Sequence, residues 1–323
     1  MFLGTLEKGD VVPYWPNYLV YYESVSEVSR VYLRVIMRYF EKLEAKNVRL
    51  EEKVRFYRKY EEEEVSWKDS NNLLCDLIVK VDGEIGDSEG YLEVDFANAV
   101  LSFGRGGTQE EILLGMSPES HVIVLIADEL TDRETILLQG ITKIAKHSGF
   151  GLDLKYEGIA DPWDWNRRFI IAMDAMSFPD PDPFSRCPEN AQLKEQLQLE
   201  PLHRELLKVH CAYNFTSKFP EITGWPNRIA TGGWGCGSFN GHHHLKSIIQ
   251  ILAASQCSPR TTLVYHAFGN AEFAEELQAF LASCPARSVG SIYRALLAIS
   301  ARLPNLLKQS SPLSLFDEIR RQE

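Results

Sequence analysis

The feature that most constrains this fold is an alternation of short apolar segments with segments of helical periodicity, beginning at residue 72. The predicted strands span 73–81, 91–94, 122–126, 135–138, 169–173, 229–230 and 263–265. The predicted helices span 110–114, 192–213, 245–254, 272–281 and 292–303. This alternation predicts a three-layer α/β domain.

The residues before 72 follow a different pattern. Between 25 and 60, apolar residues recur at helical spacing and predict one or two amphipathic helices, followed by a solvated acidic run at 61–64. We therefore expect a helical accessory layer over 1–70, packed on a main domain over 71–323 as one compact unit. The start of the chain is unusually aromatic, which packing against the core explains better than a stacking platform. These aromatic residues are Tyr14, Trp15, Tyr18, Tyr21 and Tyr22.

Composition limits the compartment and the partners. Of the 323 residues, 45% are hydrophobic, which supports a sizeable core. No apolar run reaches the roughly 18 residues that cross a bilayer, and residues 1–10 lack the features of a signal peptide. The six cysteines form no Cys-x-x-Cys pair, so we expect reduced thiols. These features predict a protein of the nucleus or cytoplasm with no membrane attachment. We also expect a monomer.

The net charge of -11 argues against direct nucleic-acid binding, which depends on Lys and Arg neutralising phosphates. A polyanionic ligand would have to be held locally. Backbone amides in glycine-rich loops can do this without a basic surface.

Two glycine-rich loops follow predicted strands. The first, at 104–107, leads into Thr108-Gln109-Glu110-Glu111, where two adjacent carboxylates begin a helix. A strand, a glycine loop and a helix start together are typical of anion-binding sites. Thr108 and Glu111 also fit a capping box, in which each side chain bonds the other's backbone amide. The pattern alone therefore leaves a catalytic pair and a helix cap both open.

The second loop, at 231–239, contains four glycines and lacks the Lys-Ser/Thr ending of a nucleotide-hydrolysing P-loop. It predicts amide contacts to a diphosphate without a metal, with a plain tight turn as the alternative. Consecutive histidines at 242–244 cannot readily converge on one ion, so metal binding is disfavoured. No Gly-x-Ser-x-Gly elbow or Ser-His-Asp order is present, which disfavours acyl transfer.

Several motifs in a fixed order resemble the poly(ADP-ribose) glycohydrolase family, over about 72–282. They read Asp95-Phe96-Ala97-Asn98, then the glycine run and Gln109-Glu110-Glu111, then IIAMDA at 170–175, ATGGWGCGSF at 230–239 and VYHAFGN at 264–270. The resemblance implies a macrodomain-like fold with a mixed central sheet. It also implies hydrolysis of the ribose–ribose bonds of poly(ADP-ribose), with no cofactor and no metal.

The resemblance assigns the chemistry to the paired glutamates. Glu111 would be the general acid/base at the scissile bond, and Glu110 would position the substrate ribose. Glycosidic hydrolysis needs an acid at the leaving oxygen and a group that activates water. Adjacent helical positions point about 100° apart, so the two carboxylates suit different roles.

The resemblance also implies a set of ligand contacts. Asn98 would bind a ribose hydroxyl, Asp95 would support the loop, Gln109 would contact the nucleotide, Phe239 would pack on the terminal ribose and Phe268 would stack on adenine. The remaining contacts are Glu84, Gly106, Gly107, Phe150, Gly233, Gly235, Cys236, Gly237 and Ser238. For Cys236, packing under the loop is favoured over nucleophilic attack.

The chain departs from the family at four points. The first glycine run is short, and Arg105 could compensate with a charge-assisted bond. Phe150 stands where the family has a Tyr that clasps the ligand, and Gly233 where it has an Asn. Glu84 aligns only loosely with an acidic residue that touches adenine.

The implied partners are poly(ADP-ribose), ADP-ribose and ADP-ribosylated proteins, in the setting of the DNA damage response. Two alternatives remain at this stage. One is a non-catalytic reader that binds ADP-ribose, and the other is a hydrolase that releases single ADP-ribose units.

Overall fold

The computed structural model describes residues 26–44, 53–103, 106–160, 168–180, 187–284, 286–306 and 313–322. Contacts divide the chain into two compact units. The glutamate unit comprises Met1–Glu52, Val100–Glu129 and Thr142–Trp165, and the sheet unit comprises Lys53–Ala99, Leu130–Ile141 and Asn166–Glu323. The aromatic start at 14–22, Arg105 and most of the proline-rich segment after 180 lie outside the described residues.

The described strands and helices alternate along most of the chain. The strands are β1 (Arg55–Tyr60), β2 (Asp76–Lys80), β3 (Leu92–Ala97), β4 (Glu134–Ile141), β5 (Ala145–Ser148), β6 (Lys155–Ile159), β7 (Arg168–Asp174), β8 (Arg228–Gly232) and β9 (Thr262–His266). The helices are α1 (Glu27–Glu44), α2 (Gln109–Gly115), α3 (Ile123–Ile126), α4 (Pro188–Gln196), α5 (Leu199–Tyr213), α6 (His243–Ser255), α7 (Ala271–Ala282), α8 (Val289–Leu306) and α9 (Leu315–Arg320).

The sheet unit is built on a seven-stranded mixed sheet in the order β1-β4-β7-β3-β8-β9-β2. The pairs β7–β3, β3–β8, β8–β9 and β9–β2 are parallel, whereas β4 runs antiparallel to both β1 and β7. Every residue of β7 is buried, so both faces of this central strand are covered. This agrees with its near-continuous apolar sequence, which is typical of buried parallel strands.

The helical layer of the sheet unit packs on one face of the sheet. Helices α4 to α9 contribute apolar side chains to one cluster that includes Phe169, Ile171 and Met173, the alternate residues of β7. The parallel strands β3, β7, β8 and β9 end at the same edge of the sheet, which is where α/β folds bind ligands. The segments that carry Asn98, the second glycine loop and Phe268 all follow these strand ends.

The glutamate unit contains α1 to α3 and the β5–β6 hairpin. Helix α1 buries Val28, Val31, Tyr32 and Val35, which share one helical face, against residues such as Ile112 of α2. Helix α1 therefore packs on the helix that carries the paired glutamates.

Some local predictions were wrong, for identifiable reasons. The apolar run 122–126 is helical instead of a strand, because Pro118 opens a 3-10 turn that continues into α3. The helix predicted over 192–213 is two helices, since Pro201 in the first turn of α5 cannot donate a backbone hydrogen bond across the break. The hairpin β5–β6 and helix α9 were not predicted.

The N-terminal organisation also differs from the prediction. Helices were predicted over 25–60. The structure has helix α1 at Glu27–Glu44, but Arg55–Tyr60 forms strand β1 instead of helix. Strand β1 pairs with β4, so Lys53–Ala99 belongs to the sheet unit and contacts do not divide the chain near residue 70.

Candidate active site

Helix α2 begins at a capping box. The Oγ1 of Thr108 accepts a hydrogen bond from the backbone amide of Glu111 (3.3 Å), and Glu111 Oε2 accepts one from the amide of Thr108 (3.2 Å). The Thr108 hydroxyl also donates to Glu111 Oε2 at 3.0 Å. The capping alternative is therefore real, and the carboxylate predicted to be catalytic is part of it.

The glycine run also holds Glu111. The backbone amide of Gly106 donates to Glu111 Oε1 at 2.8 Å. A Cβ added to Gly106 would lie 2.7 Å from Glu111 Oε2, so a larger residue here would displace the Glu111 carboxylate. The Glu111 side chain is only 9% exposed and is fixed in one orientation by its own helix start and by the preceding loop.

Glu110 is held separately from its neighbour. It is 2% exposed, and its Oε1 accepts a hydrogen bond from the backbone amide of Ser102 at 3.1 Å. Gln109, the first residue of α2, is half-buried. The two carboxylates thus reach different parts of the preceding segment, as their different directions on the helix predict.

The structure brings Phe150 to the same glycine run. The amide of Gly151 donates to the carbonyl of Gly107 at 2.8 Å, and a Cβ on Gly107 would lie 2.6 Å from the Gly151 nitrogen. Phe150 itself is exposed. In the glutamate unit, the predicted residues Gly106, Gly107, Glu110, Glu111 and Phe150 therefore form one group.

Two residues that support this group were missed by sequence reasoning. The hydroxyl of Tyr32 donates to the carbonyl of Gly106 at 2.8 Å, although the sequence shows Tyr32 only as part of an apolar helical face. The ring of His121 stacks on Phe103 with 3.8 Å between centroids. Burial lowers the pKa of His121 to about 3, so this ring is neutral near pH 7.

In the sheet unit, the structure separates Asp95 from Asn98. Asp95 lies within β3 and is fully buried, whereas Asn98 follows the end of that strand and is exposed. The burial of Asp95 suits the supporting role assigned to it and argues against direct contact with a ligand. Asn98 is placed where a ligand can reach it.

The second glycine loop connects β8 to α6 through successive turns. Three backbone hydrogen bonds close these turns. The amide of Cys236 donates to the carbonyl of Gly233 (2.9 Å), the amide of Asn240 to the carbonyl of Gly237 (3.0 Å), and the amide of Gly241 to the carbonyl of Gly235 (2.8 Å). Gly235 has φ 72°, in the left-handed region that glycine adopts at low cost. The loop is thus a compact, closed structure.

The outer part of this loop is the accessible part. Gly237 and Ser238 are exposed, and Gly233, Gly235 and Phe239 are half-buried. Burial raises the pKa of the Cys236 thiol, so the thiolate is not formed near neutral pH. That result agrees with the predicted packing role of Cys236 and not with nucleophilic attack.

Phe268 follows β9 with an unusual backbone. Its φ is 49°, a left-handed conformation that is rare for a bulky residue, and its side chain is 42% exposed. A Cβ on Gly232 would lie 2.8 Å from Phe268 Cε2, so the ring covers the start of the second loop. Strain of this kind is often retained for function.

Glu84 lies in the segment next to Phe268. The amide of Gly269 donates to Val81 at 2.8 Å, and His266 Nδ1 is 3.1 Å from the carbonyl oxygen of Gly83. Glu84 is half-buried and precedes a short 3-10 helix. The loosely aligned acidic residue is therefore near the predicted adenine-stacking ring.

Two of the three consecutive histidines, His242 and His244, have different hydrogen-bond partners, although their rings meet edge to face with 5.3 Å between centroids. His242 caps α6 and accepts from the Leu245 amide at 3.5 Å, whereas His244 stacks on Phe316 at 4.1 Å and lies 3.0 Å from Glu276. Across the part of the chain that the structure describes, no group of three or more His, Cys, Asp or Glu side chains could hold a metal ion. None of the helices in that part is long and apolar enough to cross a membrane.

All six cysteines are free, as their spacing predicted.

Comparison with known proteins identifies the family. A family profile described as "Poly (ADP-ribose) glycohydrolase (PARG), Macro domain fold" matches residues 64–275. Poly(ADP-ribose) glycohydrolase 1 of Caenorhabditis elegans is 32% identical over 208 residues, which cover 59% of this chain and 25% of that protein. Poly(ADP-ribose) glycohydrolase 2 of the same organism is 30% identical over 233 residues, covering 66% and 44%.

Among solved structures, a point mutant of poly(ADP-ribose) glycohydrolase from Deinococcus radiodurans, in complex with ADP-ribose, aligns with 15% identity and a TM-score of 0.38. The alignment covers 65% of this chain and 84% of that one. This TM-score is too low to establish a shared fold.

The chain spans between a quarter and about half the length of the curated relatives it matches. The family profile covers about two thirds of the chain and names the macro domain fold, which agrees with the mixed α/β sheet, so the predicted fold class is confirmed. The chain belongs to the poly(ADP-ribose) glycohydrolase family.

Proposed function

We propose that this chain hydrolyses ribose–ribose O-glycosidic bonds in poly(ADP-ribose) and releases ADP-ribose. The proposal is supported by membership of the family and by the retained glutamate pair. The observation that carries it is the arrangement of Glu110 and Glu111. Two buried carboxylates on adjacent positions are held by separate backbone amides, so that each has a fixed and different orientation.

Glu111 is the general acid/base in this proposal. Hydrolysis through an oxocarbenium-like state needs a proton for the leaving oxygen and a group that then activates water. One carboxyl group can do both in turn if its position is fixed. The contacts from Gly106 and Thr108 supply that fixed position for Glu111, and Glu110 positions the substrate ribose.

The ligand contacts fall into two sets in this proposal. In the glutamate unit, Gly106, Gly107 and Gln109 contact the nucleotide, and Phe150 packs on the ligand without the hydroxyl of a tyrosine. In the sheet unit, Asn98 contacts a ribose, the second loop binds the diphosphate and Phe268 stacks on adenine. The exposure of Asn98, Gly237, Ser238 and Phe268 supports this second set.

Incubation of the purified chain with poly(ADP-ribose), followed by chromatographic separation of the products, tests the proposal. We expect free ADP-ribose from the wild-type chain and none above background from Glu111→Gln. An intact polymer after incubation with folded wild-type protein would contradict the activity.

A non-catalytic ADP-ribose reader is the second candidate, because the capping box gives Glu111 a structural role that needs no chemistry. Calorimetry with ADP-ribose should show binding for a reader and an enzyme alike. The reader is favoured only if binding occurs without release of ADP-ribose from the polymer.

We also propose a nuclear or cytoplasmic setting. The six free thiols support it, because reducing compartments keep cysteines in this state.

A further inference from the structure

Lys246 lies inside the curl of the second glycine loop. It belongs to α6, is 1% exposed, and its Nζ lies 4.3 Å from the centroid of the Trp234 ring. A Cβ on Gly235 would be 3.1 Å from Lys246 Nζ, and a Cβ on Gly241 would be 2.7 Å from Lys246 Cε. The amide of Gly241 closes the loop by donating to Gly235 at 2.8 Å. Gly235 in the loop and Gly241 just after it therefore make room for this side chain.

A carboxylate on α5 holds the Lys246 ammonium in place. Glu205 accepts a hydrogen bond from Lys246 Nζ through Oε2. Its other oxygen, Oε1, accepts from Arg204 Nη1 at 2.7 Å and from the backbone amide of Met176 at 3.0 Å. Lys246 is thus fixed between the loop and a buried ion network.

The network continues to the end of β7. Asp174 pairs with Arg204 and with Lys208, whose Nζ is 2.6 Å from Asp174 Oδ1. Lys208 also donates to the carbonyls of Thr131 and Glu134, at 2.6 Å and 2.7 Å. Lys208 is as buried as Lys246, but its ammonium bonds to carbonyls at and just before the start of β4 and not to the second glycine loop.

Each cation of this network has a carboxylate partner. Three cationic side chains, Lys246, Arg204 and Lys208, face two buried carboxylates, Glu205 and Asp174, and the exposed carboxylate Asp132, which pairs with Arg204. The second loop, 231–239, includes no Lys or Arg. Lys246 thus places a cationic side chain directly beneath a loop that otherwise offers backbone amides.

We propose that Lys246 is a positioning residue for the second glycine loop, and that its charge favours binding of a diphosphate by that loop. This inference rests on the proposed function, since ADP-ribose carries the diphosphate. A buried charge is screened less than a surface charge, so an ammonium beneath the loop acts on a nearby anion more strongly than a surface lysine would. Lys246 acts through the loop and does not touch the reacting atoms.

The pH dependence provides a readout that a purely structural role would not change. Burial lowers the pKa of Lys246 well below 10.5, and Arg204 lowers it further while Asp174 opposes the shift. A bound anion favours the charged form of Lys246. The affinity for ADP-ribose should therefore be full at low pH and fall as pH rises through the pKa that Lys246 has in the unliganded protein.

Other ionisable groups surround Lys246. They are Glu205, Arg204 and Lys208 on α5, Asp174 on β7, His242 at the N-cap of α6 and Cys236 in the loop. Burial lowers the pKa of His242 to about 3 and raises that of the Cys236 thiol, so both stay neutral from pH 7 upward. Lys208, whose pKa burial also lowers, is the matched control.

The experiment measures binding of ADP-ribose and of adenosine, which lacks the diphosphate, to the wild-type chain, Lys246→Met and Lys208→Met. Methionine keeps an unbranched apolar stem and removes the charge. We expect Lys246→Met to weaken ADP-ribose binding about tenfold and to leave adenosine binding within about twofold. Lys208→Met should leave both affinities within about twofold. The loss of wild-type affinity as pH rises through the lowered pKa of Lys246 should be absent in Lys246→Met.

Equal loss of ADP-ribose and adenosine binding in Lys246→Met, or an unchanged ADP-ribose affinity, would overturn the inference. If Lys246→Met does not fold because Glu205 Oε2 has lost its lysine partner, Lys246→Met combined with Glu205→Gln removes that carboxylate and should show the same selective loss.

A wild-type chain that fails to bind ADP-ribose would count against the proposed function and not by itself against the role of Lys246. Inorganic pyrophosphate then serves as the probe. Weaker pyrophosphate binding by Lys246→Met than by the wild-type chain supports the inference, and equal or absent binding by both overturns it.

Discussion

Replacement of Glu111 by glutamine separates the catalytic role of this residue from its capping role. Glutamine is also accepted at the third position of a capping box, so the start of α2 should survive. The amide group cannot supply the proton that a general acid must give. Activity should therefore fall much further than stability.

The contacts of Glu111 set the expected loss of stability. Its carboxylate accepts from Gly106 on one oxygen and from the amide and hydroxyl of Thr108 on the other. A glutamine that keeps its oxygen toward Thr108 turns its NH2 group toward the Gly106 amide, which loses that hydrogen bond. The free energy of unfolding should fall by about 1–2 kcal/mol. Loss of general acid/base catalysis lowers rates by about 10²–10⁴-fold, or about 3–5 kcal/mol in activation free energy.

Thr108→Ala is the matched control, because it removes two contacts of the capping box and keeps the carboxyl group of Glu111. It should cost about 1 kcal/mol of stability and leave the rate within about tenfold of the wild-type rate. Urea unfolding and initial rates of ADP-ribose release measure the two effects. If both variants lose activity to the same extent, Glu111 acts through the helix start and the assignment of a catalytic role is refuted.

Three further predictions concern other parts of the chain. Gly107→Ala should displace the loop at Gly151, because its Cβ would lie 2.6 Å from that backbone nitrogen. The rate of ADP-ribose release should fall at least tenfold, and an unchanged rate would contradict this close contact. Phe268→Gly should relieve the left-handed backbone without loss of stability. If the ring stacks on adenine, the same change should weaken ADP-ribose binding by about 1–3 kcal/mol. An unchanged affinity in calorimetry would exclude stacking. Hydrogen bonds from Arg58 lower the pKa of Glu134 from 4.5 to about 2, so stability should be full above pH 4.5 and fall as pH drops toward 2. Urea unfolding of Glu134→Gln should show a smaller loss over this window, and an equal loss would contradict the assignment.

Local sequence patterns gave most of the sheet unit correctly. The segments that became β2, β3, β7, β8 and β9 were found from apolar runs, and the paired glutamates were found from the glycine run before them. These elements can be predicted locally because burial of one face of a helix or strand leaves a periodic apolar pattern in consecutive residues. The N-terminal strand was misread as helix, since Arg55–Tyr60 is set in the sheet by pairing with β4, almost eighty residues later. No local pattern reports such a distant partner.

The sequence by itself determined the family, the α/β alternation and the identity of the candidate catalytic carboxylates. Only the tertiary structure decided how those carboxylates are held: Glu111 by Gly106 and its own cap, and Glu110 by Ser102. Only the tertiary structure placed Lys246 beneath the second glycine loop with Glu205 as its partner. The physical reason is that residue type fixes what a side chain can donate, accept or ionise, whereas its partners come from segments that only the folded chain brings together.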